Sequence, residues 1–236
     1  MQIAGIQKLT LIDFPGRLAA AVFLCGCNFR CPWCYSRELV LPKETKKQPA
    51  ISEKELFIFL KERKGLLEGV VICGGEPTTH KELPTFCKKI KNLGYLIKLD
   101  TNGSNPEMLK KLVKKRLIDY VAMDIKAPKE KYGEVVGMLE CWNDEMFRNI
   151  EKSIEFLKEE KVDYEFRTTV VPTIHAKENV VQIAREISPA KRYYLQNFRP
   201  EKTVDPKFEK IKPYPKEYLL EIQKAVALFF EACEIR

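Results

Sequence analysis

Apolar positions along this 236-residue chain follow two spacings that alternate from one segment to the next. Short unbroken apolar or β-branched runs at 19–24, 69–73, 95–99, 120–123, 164–171 and 193–195 predict buried strands. Between them, residues 52–64, 81–92, 106–116, 144–160 and 177–187 repeat at helical intervals, as Phe147, Ile150, Ile154 and Leu157 do. A last helix is expected over 216–230. Ser52 with Glu55 three residues on reads as a capping box, and Gly94 as a helix stop. Strands alternating with helices of these lengths imply parallel βα units, and six strands fall short of the eight that close a barrel. The expected fold is α/β, a partial, open (β/α)6 TIM-like barrel of parallel strands, with 1–236 a single domain ending in a helix.

Polar residues gather where these strands end. A cysteine-rich loop follows the first strand, Gly74-Gly75-Glu76-Pro77 the second, Asp100-Thr101-Asn102-Gly103 the third and Asp124-Ile125-Lys126 the fourth. Arg167 lies within the fifth strand and Gln196-Asn197-Phe198 ends the sixth. Parallel α/β folds place their active sites at that edge.

The loop Gly26-Cys27-Asn28-Phe29-Arg30-Cys31-Pro32-Trp33-Cys34-Tyr35 packs three thiols into eight residues. Close thiolates suit zinc, copper(I) or an iron-sulfur cluster. A structural zinc would want a fourth Cys or His nearby, and none is close in sequence. An incomplete zinc knuckle or a fortuitous Cys-rich loop is the bland alternative. A cubane held by three thiolates leaves one iron open to a substrate. Gly74 and Gly75 allow close backbone approach, and Glu76 offers an acceptor for an ammonium. Alone, that tripeptide is better explained by a turn after a buried strand. Asp100, Thr101 and Asp124 supply hard oxygen atoms, while Lys126 and Arg167 are cations able to meet a carboxylate.

The Cys27, Cys31, Cys34 spacing resembles that of the radical S-adenosylmethionine (SAM) superfamily, whose 4Fe-4S cluster uses three cysteines and offers its fourth iron to SAM. The resemblance implies that Gly74, Gly75 and Glu76 bind the SAM amino group. Leu99-Asp100-Thr101-Asn102-Gly103 with Met123-Asp124-Ile125-Lys126 narrows it to the glycyl-radical-enzyme activating branch, similar to pyruvate formate-lyase activating enzyme and anaerobic ribonucleoside-triphosphate reductase activating proteins. That branch assigns Asp100, Thr101 and Asp124 to a monovalent cation (Na+ or K+), Lys126 and Arg167 to SAM, and Tyr35 and Val170 to the adenine. Asp13, in Asp13-Phe14-Pro15-Gly16, is implied to contact the partner enzyme. Phe198 stands where pyruvate formate-lyase activators carry a histidine, so the ribonucleotide reductase type is the nearer resemblance. Residues 42–51 leave no room for a ferredoxin-like insert, so a second cluster is not expected. The implied activity is reductive cleavage of SAM to a 5'-deoxyadenosyl radical that abstracts a glycine hydrogen from a glycyl radical enzyme. A small-molecule radical SAM enzyme similar to 7-carboxy-7-deazaguanine synthase is the rival, and a non-enzymatic iron-sulfur electron carrier a further one.

The formal net charge of +8 arises from Lys and Glu spread through helical segments, without the aromatic-interleaved basic tract of a single-strand binder. No nucleic-acid partner is expected. A basic face suits an acidic reductant, flavodoxin or ferredoxin. With no signal-like start and no long apolar run, a cytoplasmic protein without membrane contact is expected. Cys73, Cys87, Cys141 and Cys233 are then expected to pack as small apolar residues, and His80 and His175 to be turn or surface residues.

Overall fold

The computed structural model describes residues 1–236. One sheet runs β1 (Ile3–Thr10), β2 (Ala19–Leu24), β3 (Gly69–Gly74), β4 (Leu96–Thr101), β5 (Tyr120–Asp124), β6 (Asp163–Val170), β7 (Ala190–Asn197) and β8 (Phe230–Ile235), each strand beside the next in sequence. β2 to β8 pair in parallel, and β1 lies antiparallel to β2. β1 and β8 are not paired to each other, so the barrel stays open. The helices are the single turns α1 (Arg37–Val40) and α2 (Pro42–Thr45), then α3 (Glu53–Glu62), α4 (Leu83–Lys91), α5 (Pro106–Lys114), the short α6 (Tyr132–Val135), α7 (Asp144–Lys158), α8 (Lys177–Ile187) and α9 (Lys216–Val226). None is long and apolar enough to cross a membrane.

The six expected strands are β2 to β7. Two more flank them. β1 is an edge strand whose middle residues are half-exposed or exposed, so it carries no clear apolar alternation. The helix expected over 216–230 ends at Val226, and after one tight turn the chain re-enters the sheet as β8. Ser52 forms the expected capping box, its hydroxyl accepting from the Glu55 amide at 3.2 Å while the Glu55 carboxylate accepts from the Ser52 amide at 2.8 Å.

Strand alternation divides the buried side chains into two sets. Ala20, Val22, Leu24, Ile72, Leu99, Val121 and Phe166 face the helices and join Phe86, Leu109, Ile150 and Val180 in the main core. Each of these side chains larger than alanine contributes about 1.5–3 kcal/mol when fully buried. The inner face carries Ala19, Ala21, Val71 and Tyr120, capped by Phe14. A Cβ on Gly69, the first residue of β3, would lie 2.7 Å from the Phe14 ring, so Phe14 plugs the N-terminal end of the barrel. Towards the other end the same inner face turns polar, with Lys98 and Asp100 on β4, Asp124 on β5 and Arg167 on β6.

Candidate active site

The cysteine loop leaves β2 at Leu24 and is held by backbone contacts on several sides. The Gly26 amide donates to the Leu39 carbonyl (2.7 Å), Arg30 to Val136 (2.9 Å), Val204 to Cys34 (3.0 Å) and Asp205 to Pro32 (2.8 Å). Arg30 folds back to donate to the Cys27 and Phe29 carbonyls at 2.6 and 2.7 Å. Asn28 donates to the Ser104 hydroxyl and accepts from the Asn102 amide, tying this loop to the one after β4. Neither asparagine contact was foreseen from sequence, because each joins residues more than 70 apart.

Gly74 and Gly75 serve that packing. Gly74 has φ +114°, and a Cβ there would meet Leu24 backbone at 2.4 Å; one on Gly75 would fall 1.9 Å from the Gly26 carbonyl oxygen. The glycines therefore bring the β3 turn against the cysteine loop itself. Glu76 follows, 1% exposed. Its Oε1 accepts from the Thr78 amide (3.0 Å), the Thr78 hydroxyl (2.5 Å) and the Thr101 hydroxyl (2.7 Å), and its Oε2 accepts from the Asn102 amide (2.6 Å). Oε2 thus keeps acceptor capacity for a ligand ammonium. Burial pushes the Glu76 carboxyl up in pKa against these four donors.

On the inner face, Arg167 bridges two strands. Its Nε donates to Asp124 Oδ1 at 2.8 Å and its Nη1 to Asp100 Oδ2 at 2.9 Å. Lys126 Nζ reaches Asp124 Oδ2 at 3.2 Å, and Lys98 Nζ reaches Asp100 Oδ1 at 2.5 Å. Burial opposes ionisation of Asp124, yet the Arg167 and Lys126 charges outweigh it and hold the carboxyl down at about 2. Burial likewise opposes the Arg167 and Lys126 charges, and the facing acids keep both cationic. Lys98 escaped the sequence reading. Its signal was a lone lysine in the apolar strand Leu96-Ile97-Lys98-Leu99, two residues before Asp100 and hence on its face.

Cys27, Cys31 and Cys34 lie in electrostatic range of one another and of Lys126. Burial pushes the Cys31 thiol up to about 12 and the Cys27 thiol up to about 11, so metal loading must displace protons. No three His, Cys, Asp or Glu side chains close around a single-ion position, as zinc's bonds of about 2.3 Å would require. Three thiols without a fourth ligand suit a cluster with one free iron. Trp33, between the last two cysteines, is 6% exposed and its indole N–H has no partner, while the Lys126 ammonium lies 5.4 Å from its ring centre. A buried, unsatisfied donor in this loop fits a bound group that supplies the acceptor.

The other residues singled out from the sequence take varied positions. Val170, the last residue of β6, is fully buried in the main core, on the face opposite Arg167. Thr101 spends its hydroxyl on Glu76 and on the Gly103 amide. Asp100 and Asp124 are ion-paired at every oxygen, so an alkali cation there would share its ligands with charged donors. Tyr35 is 49% exposed at the rim, within electrostatic range of Asp124 and Arg167. Asp13 lies in the β1–β2 connection, where Thr10 pairs with Ala19 and the Thr10 hydroxyl donates to its carboxylate. Asp13 is also within electrostatic range of Cys73 on β3. His175 is 1% exposed, not on the surface, and Cys141 is exposed. Cys73 and Cys233 are only partly buried, and Cys87 alone of the four packs fully. His80 holds the Cys25 carbonyl at 2.9 Å.

Comparison with known proteins places this geometry. A protein of Methanocaldococcus jannaschii, provisionally named a glycyl-radical enzyme activating enzyme, is 36% identical over 99% of this chain and 95% of its own length. A 7-carboxy-7-deazaguanine synthase of Thermococcus kodakarensis is 30% identical over 61% of this chain and 60% of its own. The fold matches that of a radical SAM methyltransferase from Sphaerobacter thermophilus at a TM-score of 0.70, 14% identity, covering 97% of this chain and 68% of that one. The Radical SAM superfamily model matches residues 22–188, from within β2 to just past α8. With three thiols on the loop after β2 and most of its length matched, the chain belongs to the radical SAM superfamily.

Proposed function

We propose that this chain is an activase that installs a glycyl radical on a partner enzyme, with anaerobic ribonucleotide reductase the first candidate. The observation that carries the reading is the end-to-end match to the M. jannaschii relative, which leaves little of either chain unaccounted for. Cys27, Cys31 and Cys34 hold a 4Fe-4S cluster in this reading. Bound there, a cluster would supply the one-electron reduction by which SAM yields methionine and a 5'-deoxyadenosyl radical able to take hydrogen from glycine.

The chain's own residues bind and orient. Lys126 and Arg167 face the SAM carboxylate, and Glu76 accepts from the amino group through Oε2, which carries one donor where Oε1 carries three. Trp33 and the rim ring of Tyr35 shield the site from water. The Asn28–Asn102 and Gly75–Gly26 contacts fix the cysteine loop relative to the ligand-binding turn, which limits misalignment at the reacting centre. Flavodoxin or ferredoxin supplies the electron, and Asp13 contacts the partner.

A second reading, an enzyme acting on a small molecule, is favoured by the T. kodakarensis synthase match. Anaerobic reconstitution with iron, sulfide, SAM and reductant, with candidate partner enzymes added, separates the two. The glycyl-radical doublet should appear by electron paramagnetic resonance on the partner. Deoxyadenosine release coupled to a metabolite, with no protein radical, would overturn the activase reading. Alanine at Cys27, Cys31 or Cys34 should abolish iron incorporation and SAM cleavage together.

A further inference from the structure

We propose that the Lys98 ammonium takes the place of the monovalent cation that related activases are expected to hold, making ligand binding here independent of Na+ and K+. Lys98 is 1% exposed, and the one polar partner of its ammonium is Asp100 Oδ1 at 2.5 Å. The other Asp100 oxygen is taken by Arg167. Asp124 is divided between Arg167 and Lys126. All four carboxylate oxygens of the pair therefore accept from charged nitrogen donors. Thr101, the third expected oxygen ligand, gives its proton to Glu76 and receives one from the Gly103 amide.

Charge points the same way. Lys98, Lys126 and Arg167 oppose Asp100 and Asp124, which leaves one positive charge unbalanced. A further cation would be repelled by three positive neighbours and would have to share an oxygen that already accepts from a charged donor. A single ligand carboxylate balances the group instead. This last step rests on the reading that SAM docks here; the occupancy of the cation position by Lys98 does not.

Two measurements test the assignment. Crystals soaked in thallous acetate report a monovalent-cation site by anomalous scattering without SAM or iron chemistry. The wild type should show no thallous peak between Asp100 and Asp124, and Lys98→Met should show one beside Asp100. A peak in the wild type, or none in the variant, overturns the proposal. By equilibrium dialysis at fixed ionic strength, wild-type SAM affinity should agree within about twofold between tetramethylammonium and potassium chloride. Lys98→Met should bind about tenfold more weakly in tetramethylammonium and regain affinity in potassium. A wild type that needs potassium overturns the inference. Loss of SAM binding in every salt defeats the SAM reading and leaves the thallous comparison to judge Lys98. Lys98→Gln, which keeps a polar side chain in the barrel, repeats both measurements if the methionine variant does not fold.

Discussion

His175 joins two strand ends through both ring nitrogens: Nδ1 accepts from the Val171 amide at 3.0 Å, which leaves the ring proton on Nε2 to donate to the Lys126 carbonyl at 2.8 Å. Burial is the main force that holds its pKa down, from 6.5 to about 4. Between those values the unfolded chain carries a proton that the folded chain excludes. Its contribution is therefore intact above pH 6.5, shrinks as pH falls and is lost by about pH 4, a change of about 3 kcal/mol. Urea melts at pH 7.5 and 4.5 should show that loss, and His175→Asn should flatten it. Asp124 acts in a separate, lower window. Its carboxyl, held down at about 2, supports the fold above its ordinary value and loses that support only as pH falls further. Gly75 gives a second test. The Gly75→Ala methyl would meet the Gly26 carbonyl at 1.9 Å, so the turn or the cysteine loop must move. The expected cost is about 1–3 kcal/mol in denaturant, with less iron bound per folded chain. Cys27, Cys31, Cys34 and Glu76 were legible in sequence because spacing within a loop is local. Lys98, Asn28 and His175 were not, because their roles depend on partners brought close only by the fold.

The elements divide along the same line. β2 to β7 are covered by chain on both faces or both edges and read as clear apolar runs, whereas β1 and β8 sit at the two open edges with mixed faces. β8 earned no sequence signal because Phe229 and Phe230 continue the apolar spacing of α9 past its end at Val226. Its function in the fold is visible at the terminal residue. The Arg236 amide donates to the Leu195 carbonyl at 2.8 Å, and its guanidinium meets Glu165, which is 0% exposed, at 3.0 and 3.2 Å. Tyr120 donates to the same carboxylate at 2.8 Å, so the last residue of the chain completes a polar group inside the barrel. Arg236→Ala leaves that acid with the phenol as its one hydrogen-bond donor and Arg167 as its nearby charge, and should cost about 3 kcal/mol in chemical denaturation. Glu165→Gln in the same background should recover most of it. An unchanged midpoint in the single variant would mean that β8 is docked by its backbone alone.

At the scale of the whole molecule, the two ends of the barrel differ in chemistry. Phe14 and the small inner residues Ala19 and Ala21 close the N-terminal end, while the C-terminal edge gathers the cysteine loop, Glu76 and the ion-paired inner cluster. An electron must enter at or near that edge. The formal charge of +8 is not cancelled by the surface pairs such as Lys47–Glu44, Lys89–Glu53 and Lys177–Glu221, each of which is locally neutral. The proposed reductant, an acidic flavodoxin or ferredoxin, would be drawn in by long-range attraction. Screening shortens that reach from about 30 Å at 0.01 M salt to about 10 Å at 0.1 M. Stopped-flow reduction of the reconstituted protein by flavodoxin should slow by about tenfold or more across this range. Photoreduction by a small neutral flavin analogue should change little, because no charge steers it. Equal salt dependence for the two reductants would place the limiting step after encounter and remove any role for the basic surface in choosing the donor.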